Sequence, residues 1–95
     1  MDEVEARSLI DEQLASYRAR GYADLSTLVG QTIGFEQVAP SGTEYNVEVM
    51  VVWDSLRAGG NLRVMVTVDD GRWPAWFRPL SGDFILAPDG SFVGE

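Results

Sequence analysis

Leu62-Arg63-Val64-Met65-Val66-Thr67-Val68-Asp69 is the stretch that decides the fold. Leucine or valine stands at every even position from 62 to 68. A period of two is the signature of a strand with one buried face, whereas a helix gathers side chains three and four apart. The same alternation runs through Glu44 to Asp54, where Tyr45, Val47, Val49, Val51 and Trp53 share a side. It recurs in Thr32 to Val38, with Ile33, Phe35 and Gln37 aligned, and in Arg72 to Phe77, with Trp73, Ala75 and Phe77 aligned.

Turn signals separate these runs. Pro40-Ser41-Gly42 suits a three-residue hairpin loop with Gly42 left-handed. Residues 55–60 form a longer loop, and Asp70-Gly71 carries the signal of a two-residue type I′ hairpin. Pro74 cannot donate to a ladder, so the run at 72–77 reads as an edge strand or a bulged one. Leu80-Ser81-Gly82-Asp83 breaks the pattern, and residues 84–93 read as a short closing hairpin or as one helical turn before a terminal strand.

Upstream of the strands the period changes. Ala6, Leu9, Ile10, Leu14 and Tyr17 make a stripe at helical spacing. Asp2 is placed to cap this helix, and Glu5 completes the spacing of a capping box. Acids sit at its positive end, Arg18 and Arg20 at its negative end, and Gly21 suits a helix stop. Residues 22–30 form a connector in which Asp24 would cap one turn carrying Leu25, Leu28 and Val29.

Ninety-five residues allow one hydrophobic core. The expected organisation is a single α+β domain over 1–95: a helix at 1–20, a connector at 22–30, a β-meander at 31–79 and a closing segment at 80–95. An N-terminal helix lies across a curved, four- to five-stranded antiparallel sheet in two layers. This element order resembles the cystatin-like architecture. The likeness is one of architecture, and fold analogy says little about function.

Composition narrows the chemistry. All seven basic residues are arginine; there is no histidine, lysine or cysteine. Imidazole bases, thiolate nucleophiles, Schiff-base lysines, disulfides and the common zinc ligands are therefore excluded. The net charge of −8 and the scattered arginines argue against nucleic acid and anionic membrane surfaces as partners. An acidic N-terminus and the lack of a long apolar run lead to a cytoplasmic expectation, and small size to a bacterial one. Asp54, Asp69, Asp70 and Asp83 fall at strand ends and are expected in turns rather than in acid–base pairs. Glu36 and Glu48 would matter chemically if a pocket buried them.

One surface stands out. With Asp70-Gly71 as loop residues, Arg63 faces Arg78, Met65 faces Trp76 and Thr67 faces Pro74. Pairing Trp53 with Leu62 then adds Glu48 beside Thr67, Met50 beside Met65 and Val52 beside Arg63. Met50, Met65 and Trp76 form an apolar row on a face that is ordinarily polar. Three readings follow: cover by residues 84–93 of the same chain, a homo-oligomer interface, or a groove in which Arg63 and Arg78 recognise an anion.

The expected function is that of a small non-catalytic interaction protein. It self-associates, as a dimer first of all, or binds a partner through Glu48, Met50, Val52, Arg63, Met65, Trp76 and Arg78. One alternative is an acidic immunity- or antitoxin-like protein that neutralises a basic effector. Another is a small-molecule binder or carboxylate-dependent enzyme with a helix–sheet pocket. No metal or cofactor is expected.

Overall fold

The computed structural model describes residues 2–55, 57–71 and 79–95. Helix α1 spans Glu3–Arg18 and helix α2 Tyr22–Ser26. They precede strands β1 (Thr32–Val38), β2 (Glu44–Trp53), β3 (Leu62–Asp69) and β4 (Leu80–Leu86). All neighbours are antiparallel, in the order β1-β2-β3-β4. The expected α+β arrangement, an N-terminal helix on a four-stranded meander, is what forms.

Local chemistry accounts for α1. Asp2 has an extended backbone and its Oδ1 accepts the Glu5 N–H at 3.1 Å, so one of the helix's open donors is satisfied. Glu5 does not complete the capping box: its carboxylate accepts from the Tyr45 and Ser41 hydroxyls instead. The helix closes at Ala19, two residues before Gly21, whose φ of −76° is not left-handed. Gly21 is instead the N-cap of α2. Asp24 therefore lies inside α2 rather than capping it, and it pairs with Arg20 at 2.6 Å.

The alternation in β2 and β3 lands as read. Tyr45, Val47, Val49, Val51, Leu62, Val64, Val66 and Val68 are all at most 1% exposed. They meet Ala6, Leu9, Ile10 and Tyr17 of α1 and Leu25 of α2. α1 lies mainly over β3 and β4. The edge strand β1 is left partly uncovered, so Phe35, expected in the core, is 38% exposed.

The fourth strand is where sequence reading is corrected. The place beside β3 belongs to Leu80–Leu86, with Val68 opposite Leu80 and Val64 opposite Phe84. The run at 72–77, which the sequence puts there, lies outside the described residues. A type I′ turn needs positive φ at both central residues. Gly71 has φ +74° but Asp70 does not, and the Asp69 carboxylate accepts the Gly71 N–H at 2.9 Å. That is a local Asx turn rather than a type I′ turn.

Gly82 explains why 80–83 is strand despite its composition. A Cβ there would lie 2.9 Å from Ile10 Cγ2 and 3.1 Å from Leu14 Cδ1. The missing side chain lets α1 settle on β4. The Pro40-Ser41-Gly42 loop forms as expected, with Gly42 at φ +87° and the Ala39 N–H donated to Thr43 O at 2.9 Å.

Candidate functional site

The two faces of the sheet differ in kind. The helix side is apolar; no charged or polar residue is buried there among the described residues. The other side presents, strand by strand, Thr32, Gly34, Glu36, Val38, then Glu44, Asn46, Glu48, Met50, Val52, then Arg63, Met65, Thr67, Asp69, then Ser81, Asp83, Ile85. Parity alone forces these residues together, because successive side chains of a strand point to opposite sides.

Five of the seven expected site residues meet there in the expected register. Glu48 lies opposite Thr67, Met50 opposite Met65, and Val52 opposite Arg63. Trp76 and Arg78 lie outside the described residues. The partners expected across β3 are replaced: Met65 faces Asp83, and Arg63 faces Ile85. An apolar strip remains, formed by Met50 at 38% exposure with half-buried Met65, Val52 and Ile85. Ile85 was not among the expected residues. Its place depends on β4 starting at Leu80, which the Ser81-Gly82-Asp83 run hid.

Arg63 borders this strip with its charge already matched. Nε lies 2.9 Å and Nη2 2.8 Å from Asp54 Oδ1, and Nη1 bonds Asp83. The hydrogen bond with Asp54 is the first cause that raises its guanidinium pKa above the ordinary arginine value. An anion approaching Arg63 would have to displace two carboxylates of this chain. The arginine stem instead flanks Val52 and Ile85 as a part of the surface.

Of the two alternatives for residues 84–93, the hairpin forms, although β4 already begins at Leu80. After β4 the chain makes a tight hairpin: Ala87 N–H donates to Ser91 O at 2.8 Å and Val93 N–H to Ile85 O at 2.9 Å. Leu86 is bridged to Phe92, so Phe92 falls on the helix side. There its ring meets Phe84 edge-on at 5.6 Å, and the Arg18 guanidinium stands 4.7 Å above it. The C-terminal residues thus extend the sheet edge and the helix-side core; they do not cover Met50 and Met65.

The carboxylates singled out in the sequence have structural partners. Asp54 and Asp83 hold Arg63, while Asp69 accepts from the Gly71 N–H and from Asn46 Nδ2. Glu36 and Glu48 are exposed on the open face. The Tyr45 hydroxyl reaches Glu5 at 3.0 Å, and burial, followed by that hydrogen bond, pushes its pKa up to about 12. Among the described residues no three carboxylates converge as a cation site would require, and no helix is long and apolar enough to cross a membrane. Comparison with known proteins finds no matching family, no matching curated protein and no matching solved structure.

Proposed function

We propose that this is a cytoplasmic, non-catalytic interaction protein. It works through the sheet face turned away from α1, and the occupant is a second copy of the chain. The observation that supports this reading is the apolar strip Met50–Met65 with Val52 and Ile85, which nothing among the described residues covers. An outward antiparallel face is ordinarily polar, and covering apolar surface is favourable by roughly 25 cal/mol per Å². Methionine and an arginine stem are common in interface centres. The helix–sheet layer is filled with apolar side chains, and the candidate acid–base carboxylates hold turns or Arg63; both weigh against an enzyme.

Sedimentation equilibrium from micromolar to millimolar protein tests the proposal. The native chain is expected at twice its monomer mass at the upper end. Met50→Glu with Met65→Glu is expected to be monomeric throughout, with an unchanged circular dichroism spectrum. A native chain that stays monomeric at every concentration removes self-association.

A further inference from the structure

The geometry points to a second binding surface: the outer edge of β1, with the acid-rimmed groove beside it, accepts an extended basic segment of another protein as an added strand. This surface is separate from the open sheet face and does not depend on its role.

The backbone carries the first half of the argument. Ala39 N–H donates to Thr43 O, and Asp54 N–H donates to Asn61 O at 2.8 Å. These closures fix which residues of each antiparallel pair exchange hydrogen bonds, and the alternation follows along the ladder. Ile33, Phe35 and Gln37 turn their N–H and C=O groups toward β2. Thr32, Gly34, Glu36 and Val38 turn theirs outward, and among the described residues nothing meets them. The opposite edge is managed differently. On β4 the Ser81 carbonyl accepts from Arg7 Nη1 at 3.1 Å, and the Ile85 carbonyl accepts from Val93. A bare strand edge is a template for another strand unless it is short, bulged, proline-bearing or guarded by lysine. β1 is seven residues long, has no proline and carries one charge, Glu36.

The side chains beside that edge choose the occupant. Between α1 and the end of β1 runs an open groove with Leu9 in its floor, Val4 and Val38 on its lips, and Asp2, Glu5 and Glu12 around it. Val4 is 82% and Val38 62% exposed. Among the described residues no arginine lines the groove. Asp2 accepts from a backbone N–H and Glu5 from two hydroxyls, so neutral donors bind these acids and no cation of the described chain offsets them. A second copy of β1 would bring no basic residue to three carboxylates and would add its own negative charge. A strand with arginine or lysine at alternate positions would hydrogen-bond the β1 edge and direct its cations toward α1. Strand addition of this kind draws affinity from the main chain and selectivity from alternate side chains.

Calorimetric titration with a capped nine-residue peptide of alternating arginine and valine tests the inference. Saturable binding is expected, weakened by salt. Glu12→Arg with Val38→Arg, both at exposed positions, is expected to lower affinity at least tenfold. Gly34→Pro removes an outward donor at the middle of the edge and is expected to abolish binding. If that variant misfolds, the Glu12/Val38 variant still decides the matter. Three results overturn the inference: no binding by the native chain, undiminished binding by the Glu12/Val38 variant, or equal binding of a same-charge peptide with proline at every second position. The last would show attraction to charge without strand pairing. Protein mass is unaffected by any of these outcomes, so the self-association proposal stands or falls separately.

Discussion

The two edges of the sheet carry similar sequences to different ends. β1 reads Thr-Ile-Gly-Phe-Glu-Gln-Val and β4 reads Leu-Ser-Gly-Asp-Phe-Ile-Leu; each is seven residues with one glycine near its middle. At β4 the glycine lies beneath α1, Phe84 and Leu86 are buried, and a terminal hairpin closes half of the outer edge. At β1 the glycine faces the open side, Phe35 stays partly exposed, and the outer backbone groups are unmatched among the described residues. The position of α1, over β3 and β4, creates the difference. Propensity alone would treat the two strands alike. Burial by a distant element makes one a wall of the core and leaves the other available for binding.

Substitutions should expose this asymmetry. The largest effect is expected at the centre of the closed half. Leu62, fully buried between Trp53 and Leu86, should cost about 3 kcal/mol as Leu62→Ala in urea unfolding. Phe35→Thr on β1 should cost less, about 1 kcal/mol, because the ring is already partly exposed and a threonine suits a strand. Equal losses at the two sites would mean that α1 covers β1 as fully as it covers β3.

The two glycines make a sharper pair. Gly82→Val should cost about 2 kcal/mol by forcing Ile10 and Leu14 aside. Gly34→Val should be neutral or slightly stabilising: its Cβ would meet only Val47 O at 3.9 Å and Glu48 Cγ at 4.0 Å, and a β-branched residue stiffens a strand. A smaller effect belongs to Arg18, which binds both oxygens of Glu95, at 2.8 and 2.6 Å, and stands over Phe84 and Phe92. Arg18→Ala should cost about 1 kcal/mol, mostly the loss of its position over the two rings. The melting temperature would fall by several degrees, on the order of 4–8 °C per kcal/mol at this size. Because the ring contact outweighs the exposed ion pair, added salt should remove only a small part of that difference.

A different kind of signal concerns pH. Tyr45 is raised from 10.0 to about 12 in the folded chain, so the unfolded chain releases this proton first as pH rises. The stability due to its neutral form is complete below about pH 10 and falls as pH passes from 10 to 12. In Tyr45→Phe the fall over that window should be shallower.

How much of this is legible in the sequence depends on where the information lies. β2 and β3 are buried on one face along their whole length, so their alternation is in the residues themselves, and so is the pairing of Met50 with Met65. The Asp2 cap and the Gly42 turn are local chemistry and were equally readable. β4 was not. Gly82 and Asp83 look like punctuation, and only the helix resting on Gly82 and the ladder from β3 make them strand. The Asp70-Gly71 pair suggested an immediate hairpin, but the turn there is completed by the Asp69 side chain. Because β4 was displaced, Ile85 and Asp83 were missed at the candidate site, and with them the acids that occupy Arg63. That β1 is an edge follows from the meander order and was readable; that Phe35 stays partly exposed there was not, since it results from where α1 settles.

Amide exchange, resolved residue by residue along Thr32–Val38 in the free protein, tests the asymmetry most directly. The account predicts slow exchange at Ile33, Phe35 and Gln37, and exchange faster by orders of magnitude at Thr32, Gly34, Glu36 and Val38. Equal protection of all seven amides would mean that the β1 edge is already occupied, which would contradict it.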